Sequence, residues 1–467
     1  MFSSIFTTFG NCLKIPELKS RIAFTLWMLF FCRLASLIPT PGLNSHLLVE
    51  YFSSSAGKGS MGGGLMGMYS MFTGGGFERC AIGSLGIMPY ISATIIIQLL
   101  QAVVPSLSKL SREEGGRAKL IQRGRYLTVG LCLLQGMVMA LSWEHPSGVF
   151  SNFHGDLVTM HPAWWYRIQT TLILTTGTVL LMWFGEQITD RGIGNGISLI
   201  ITIGILARLP QMVLGLKDMF LTPDTTTGEY QYNMFHFAAM MLLLCAVVAG
   251  IVAVTQSQRK IPVQYAQRVV GRKTYSGGSS FMPLRVNYAG VMPVIFASAI
   301  LMFITFIPQY LGKYYQDKGI GVFLTEIAAS LNRGSMLYLI LYGGMILFFS
   351  YFWVATQFNE IQIADDMKKG GGYVPGVRPG LATSDFLHKT MSRITLAGAI
   401  FLTIIAVVPI VMNSWMNIPY QVSQFFGGTS LLIIVGVMLD TMRQMEAQLL
   451  TRQYPGFLKK GRVKGRF

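Results

Sequence analysis

The residues best equipped for chemistry in this chain stand where catalysis has little use for them. All 20 acidic residues fall in loops or at the ends of apolar stretches, Glu186, Asp190 and Asp440 included, whereas an ion-coupled transporter keeps a carboxylate near the membrane midplane. The six histidines (His46, His145, His154, His161, His236, His388) are isolated from one another. The five cysteines (Cys12, Cys32, Cys80, Cys132, Cys245) form no CxxC pair, a scatter that suits packing rather than a disulfide framework or a metal centre. HExxH, GxSxG and Walker motifs are missing. Gly192-Ile193-Gly194-Asn195-Gly196 is glycine-rich, but it opens an apolar stretch with no strand before it and so makes a weak nucleotide loop. The expectation is a non-enzyme with no catalytic residues, no cofactor and no metal. Arg33 is the one charge deep in an apolar stretch, and its expected role is hydrogen bonding to neighbouring carbonyls. The midplane hydroxyls of Ser92, Thr94, Ser198 and Ser298 are expected to pack helices.

What remains is the physical chemistry of branched apolar side chains. Gly86-Ile87-Met88-Pro89-Tyr90-Ile91-Ser92-Ala93-Thr94 returns in the second half as Gly290-Val291-Met292-Pro293-Val294-Ile295-Phe296-Ala297-Ser298. Gly196-Ile197-Ser198-Leu199-Ile200-Ile201 returns as Gly428-Thr429-Ser430-Leu431-Leu432-Ile433. Two echoes at corresponding places of the two halves indicate an internal duplication. Residues four apart share a helix face, so Ile87 stacks with Ile91 and Ile197 with Ile201. The duplication maps Ile91 onto Ile295 and Ile201 onto Ile433. Halves packed about a pseudo-two-fold axis would bring these isoleucines together at the centre.

The elements that must position them are membrane spans. The 467 residues are 52% apolar and only 12% charged, with a mean hydropathy of +0.49, against about 25% charged in soluble domains. A span needs about 20 mostly apolar residues. Ten stretches qualify: 22–38, 79–103, 126–143, 164–185, 195–214, 234–256, 288–310, 334–357, 394–415 and 426–443. The fold class expected is an all-α membrane protein of ten helices in two inverted halves around a central pore. The first stretch follows a polar segment and ends in Ile38-Pro39-Thr40-Pro41-Gly42 with no small-x-small pattern, unlike a signal peptide. Most of the 37 basic residues lie on one side, in the N-terminal segment 1–21, the loops 104–125, 257–287 and 358–393, and the tail 444–467. The positive-inside rule places that side, with both termini, in the cytoplasm. The first half then runs over 22–214 and the second over 234–443, joined by an external loop at 215–233.

Four motifs in order carry a family resemblance. They are Gly86 to Thr94; Gly185-Glu186-Gln187-Ile188-Thr189-Asp190-Arg191-Gly192-Ile193-Gly194-Asn195-Gly196; Pro283-Leu284-Arg285-Val286-Asn287 followed by Ala289-Gly290-Val291-Met292-Pro293; and Val374-Pro375-Gly376-Val377-Arg378-Pro379-Gly380. They closely resemble the SecY family, the pore subunits of the bacterial protein translocase, and the likeness covers nearly the whole chain. The resemblance implies a protein-conducting channel in the cytoplasmic membrane that passes unfolded polypeptides across and releases hydrophobic segments sideways. A secondary transporter of a small solute is the alternative.

Carried over position by position, the family's constriction ring falls on Ile87, Ile91, Ile197, Ile201, Ile295 and Ile433. Branched apolar side chains make a dry neck that blocks ions by dewetting yet flexes around a passing chain. The family's plug falls within 65–75, including Met68, Met71 and Phe72, behind the glycine-rich run 57–64. Sideways opening would separate spans 2 and 3 from spans 7 and 8, with Pro89 and Pro293 as kinks in two of those helices. The resemblance further implies SecE-like and SecG-like membrane subunits, the ATPase SecA and the ribosome as partners, besides signal peptides, nascent chains and the bilayer. Arg268, Arg272 and Lys273 would meet ribosomal RNA, and Arg378 would meet SecA.

Overall fold

The computed structural model describes residues 15–55, 69–70, 72–113, 115–146, 153, 155–221, 232, 234–265, 268–270, 273–275, 278–314, 319–331, 335–416, 418 and 420–453. In chain order the helices of the first half are α1 (Pro16–Ala35), α2 (Ser45–Ser55), α3 (Met88–Val103), α4 (Pro105–Arg112), α5 (Gly116–Glu144), α6 (Ala163–Arg191), α7 (Gly196–Leu206) and α8 (Leu209–Leu221). The second half begins with α9 (Met234–Gln256) and the strands β1 (Gln258–Tyr265), β2 (Arg268–Val270), β3 (Lys273–Tyr275) and β4 (Ser279–Arg285). It continues with α10 (Met292–Tyr314), α11 (Gly319–Ser330), α12 (Met336–Gln357), α13 (Glu360–Lys369), β5 (Gly372–Tyr373), α14 (Leu381–Met416), α15 (Tyr420–Gly427) and α16 (Thr429–Gln453).

Among the described residues, six helical stretches are long and apolar enough to cross a membrane: Ala118–Glu144, Ala163–Arg191, Gly196–Lys217, Met234–Gln256, Met336–Lys369 and Leu381–Asn413. The expected span at 79–103 begins with irregular backbone and becomes helical only at Met88, as the 16-residue α3, while the span expected at 288–310 is helical from Met292 onward in the 23-residue α10. The spans expected at 22–38 and 426–443 lie in α1 and α16, which also carry charges such as Arg21, Arg33, Asp440 and Arg443. The fifth span breaks at Ala207 and Arg208 into α7 and α8, and α8 continues to Leu221, into the stretch expected to be external loop.

The duplication is visible in the backbone. Gly86 and Gly290 adopt φ of +58° and +64°, a left-handed geometry that favours glycine. Each is followed by an apolar residue and then a helix that starts at Met88 or Met292. The amide of Ile91 donates to the carbonyl of Ile87, and that of Ile295 to the matching Val291.

Five hydrophobic clusters occur among the described residues, three of them bearing on the site. The central cluster gathers side chains from α1, α3, α6, α7, α9, α10, α12, α14 and α16. A second cluster, Leu48, Phe77, Cys80, Leu85, Trp143, Phe153, Leu157 and Leu174, packs the segments after α1 and before α3 on the ends of α5 and α6. It is laced by bridges between Pro39 and Ala81 and between Leu43 and Val158. A third lies on the basic side. There β1 pairs antiparallel with β4, Gln258 to Gln264 opposite Arg285 to Ser279, and also with β5 through Gln264 opposite Tyr373 and Tyr265 opposite Gly372. The sheet order β4-β1-β5 joins two loops that sequence reading leaves separate and without strands. Ile261, Leu284, Val374, Leu387 and Met391 are buried beneath it.

The glycine-rich segment between α6 and α7 is a structural corner. Its amides are used one by one: Gly192 donates to Ile188 O at 2.8 Å, Ile193 to Thr25 Oγ1 of α1 at 3.1 Å, Gly194 to Gln444 Oε1 of α16 at 3.0 Å and Gly196 to Thr189 Oγ1 at 2.9 Å. Asn195 caps α7, its Oδ1 accepting from the amides of Ile197 and Ser198, as an Asn at this position does. A Cβ on Gly196 would lie 2.0 Å from the carbonyl oxygen of Gly185, so backbone meets backbone here. Gly196→Ala is expected to lower stability by about 1–3 kcal/mol, the range for overpacking. Gly130→Ala in α5, where a Cβ meets nothing within 4 Å, is expected to raise it by about 0.5–1 kcal/mol. Thermal unfolding of the purified protein in one detergent separates the two signs.

Candidate functional site

All six ring candidates converge. Ile87, Ile91, Ile201, Ile295 and Ile433 are buried, Ile197 is half-buried, and the six belong to or pack against the one central cluster. They come from four helices, α3, α7, α10 and α16, with Ile87 as the N-cap of α3. Val294, Leu432, Ile200 and Ile205 belong to the same cluster. Ile404 of α14, by contrast, is 59% exposed, as a lipid-facing side chain would be.

Of the plug candidates, Phe72 is buried in the same central cluster, while Met68, Met71 and the run 57–64 lie outside the described residues. Residues 72–75 lie directly on α7. A Cβ on Gly74 would come within 3.0 Å of Gly204 Cα, and one on Gly204 within 3.2 Å of Phe72 O. Arg33 Nη1 donates to the carbonyl of Gly74, so this deep cation is bonded to a backbone oxygen.

Pro89 and Pro293 are not kinks. Pro89 stands in the first turn of α3 and Pro293 is the second residue of α10, where a missing N–H breaks no helical bond. The prolines inside helices are Pro308 of α10 and Pro409 of α14. The proposed gate helices do meet, α3 against α5 and α10, and α10 against α12.

On the basic side, Arg378 is exposed on a fixed loop. The amide of Val377 donates to Val374 O, Gly376 and Gly380 have φ of +83° and +105°, and Thr383 Oγ1 donates to the Arg378 carbonyl at 2.9 Å. Arg268 and Lys273 lie in β2 and β3, and Arg272 falls outside the described residues. Glu186, an acid at a span end, pairs with Arg125 at 2.9 Å across α6 and α5. Another ion pair had no sequence signal at all: Arg208, at the break in the fifth span, and Glu78, in the segment before α3, meet at 2.7 Å.

Helices that converge on a knot of branched apolar side chains, with basic loops gathered into a platform at one end, have the architecture of a membrane channel. The comparisons name the family. The SecY family matches residues 81–442. The protein translocase subunit SecY of Chlamydia trachomatis serovar D is 41% identical over 470 residues, covering 98% of this chain and 99% of that one. The Escherichia coli K12 subunit is 39% identical over 456 residues, covering 97% and 96%. The chain belongs to the SecY family, as a protein-conducting channel subunit of the protein translocase and not an enzyme.

Solved structures agree on the fold. One described as "The structure of a protein conducting channel" has a TM-score of 0.58 at 17% identity, covering 94% of each chain. Another, described as "Sec61 in the Canine ribosome-channel complex from the endoplasmic reticulum", has a TM-score of 0.54 at 16% identity, again covering 94% of each chain.

Proposed function

We propose that Ile87, Ile91, Ile197, Ile201, Ile295 and Ile433 form the constriction through which unfolded polypeptide passes. Phe72, with Met68 and Met71, closes it from the external side. The observation that carries this reading is the convergence of the six isoleucines from four helices in one buried cluster. Such a neck stays dry because branched apolar walls do not hold water, and the same walls offer a passing chain no binding group. A solved relative in fold is described as showing that "The plug domain of the SecY protein stablizes the closed state of the translocation channel", which supports giving Phe72 the closing role. Lateral release of hydrophobic segments would part α3 and α5 from α10 and α12.

The protein sits in the bacterial cytoplasmic membrane with both termini inside, the orientation that its basic loops favour. It works with SecE-like and SecG-like subunits. Its platform takes SecA through Arg378 and the ribosome through Arg268, Arg272 and Lys273. Phosphate contacts of the second kind weaken with salt. The ribosome-bound channels among its structural relatives favour that docking.

Two experiments test the reading. Ile433→Asn or Ile295→Asn places an amide in the neck, where leaving it unpaired costs about 1–3 kcal/mol, so water enters. A bias of about 1.4 kcal/mol raises the open population about tenfold in a channel that is mostly closed. Single-channel recording in planar bilayers is expected to show resting leak for both variants and none for Ile404→Asn on the exposed face. Ring variants as tight as wild type would remove the constriction.

Arg378→Glu is expected to abolish SecA-driven transport into vesicles with little change in folded yield, since an exposed side chain on a fixed loop contributes little to folding. Unchanged transport would refute the docking role, and loss of the folded protein would make the residue structural.

A further inference from the structure

The segment that carries Phe72 is held by contacts of an unusual kind for an apolar seal. In the ion pair between Arg208 and Glu78 both side chains are nearly enclosed, at 14% and 13% exposure. Arg208 Nη2 lies 2.7 Å from Glu78 Oε1 and also donates to Ser70 Oγ. Its Nε is buried without a hydrogen-bond partner. The contact therefore grips both sides of Phe72, at Ser70 before it and at Glu78 after it. Between them, Arg33 holds Gly74 O, and the backbone of 72–75 rests on Gly204 of α7. Arg79 and Arg208 are both like-charged neighbours of Arg33, and Glu78 is the carboxylate that pairs with Arg208.

We propose that Glu78 and Arg208 form a clasp that seats Phe72 on the isoleucine cluster and so sets how firmly the channel is shut at rest. The inference rests on the reading of that cluster as the constriction. Arg208 belongs to the junction of α7 and α8, beyond the ring residues Ile197 and Ile201, while Glu78 belongs to the segment leading into Ile87 and Ile91. The clasp thus ties two walls of the constriction to each other through the closing segment. Both residues are positioning residues: they touch no passing chain in the closed state but fix where Phe72 sits. An enclosed pair also differs from a rim pair in what happens when one partner goes, because the other charge is left buried and unbalanced. Loss of Glu78 is the more disruptive change, since it leaves several guanidiniums facing one another.

The test uses the complete translocase in planar bilayers and in transport vesicles, with Ile433→Asn and Arg167→Gln beside the clasp variants. Arg167→Gln breaks the bidentate pair of Arg167 with Glu144, which joins α6 to α5 and makes no bond to the segment carrying Phe72. Glu78→Gln is expected to raise resting conductance about tenfold or more and Arg208→Gln to raise it less. Both are expected to pass substrates with weak signal sequences more readily. The reversed pair, Glu78→Arg with Arg208→Glu, is expected to return both readouts toward wild type, and Arg167→Gln to stay tight.

If Ile433→Asn leaks while Glu78→Gln and Arg208→Gln stay closed, the clasp is refuted and the constriction stands. If Ile433→Asn is itself tight, the constriction falls and the clasp with it. If the reversed pair leaks as much as the single variants, or Arg167→Gln leaks equally, the effect is general weakening and the inference fails. Should a single variant not assemble, Glu78→Gln with Arg208→Gln leaves neither charge unpaired. That double variant is expected to leak, and a tight one overturns the proposal.

Discussion

The proposed seal of branched apolar side chains offers no hydrogen-bond partner, so the polar backbone that begins beside it must be satisfied by other groups. Side chains pose little difficulty, because the isoleucines bring no polar group. The backbone is the problem, since four helices begin beside the proposed ring, α3 at Met88, α7 at Gly196, α10 at Met292 and α16 at Thr429, and a helix start exposes four amide donors. Residue type at the starts of α3 and α7 reduces that exposure. Pro89 has no amide to expose. Asn195 turns its Oδ1 onto two of the donors of α7, and Thr189 Oγ1 takes the amide of Gly196. Read this way, the Pro and Asn of the repeated and glycine-rich motifs guard the dryness of the centre, and the duplication repeats Pro293 at α10 for the same physical reason.

A channel that also opens must be firm along one seam and separable along another, and the contacts differ accordingly. The corner between α6 and α7 binds α1, α6 and α16 through Thr25, Thr189 and Gln444, and at Gly196 and Gly185 it brings backbone against backbone. Directional bonds and contacts with no room to slide define a fixed joint. Where α3 meets α10, both helices contribute apolar side chains to the central cluster, Ile91 and Ile295 among them. In a bilayer such faces lose little on parting, because lipid tails are as apolar as the side chains they replace. The proposed lateral opening lies along the seam with the smaller cost of separation.

How much of this the sequence disclosed follows from how local each signal is. Hydropathy is local, so the spans could be read, and a duplicated motif survives as a string, so Ile91 with Ile295 and Ile201 with Ile433 could be matched without coordinates. The strands could not. β1 shows an alternation, with Ile261 and Val263 buried and their neighbours exposed, but its partner β5 belongs to another loop, and nothing local announces that pairing. Pro89 and Pro293 look like kinks in the sequence and stand in first turns in the structure, because an apolar run does not say where its helix begins. The break at Arg208 and the pairing of Arg208 with Glu78 depend on a contact between distant segments, and no periodicity records it.

That last contact answers a question the apolar centre leaves open. Phe72 gains from burial among isoleucines, but burial is not directional, and a hydrophobic stretch of a passing chain would be accommodated by the same side chains equally well. Apolar contact alone therefore favours a filled centre without specifying what fills it. Specifying the chain's own closing segment takes groups with fixed geometry, and these surround Phe72: the Arg33 bond to Gly74, the glycine-to-glycine approach at Gly204, and the Arg208 pair with Glu78. If the isoleucines are the neck, as proposed, its walls stay apolar while its occupant is chosen by charge and hydrogen bonding on the segment around Phe72.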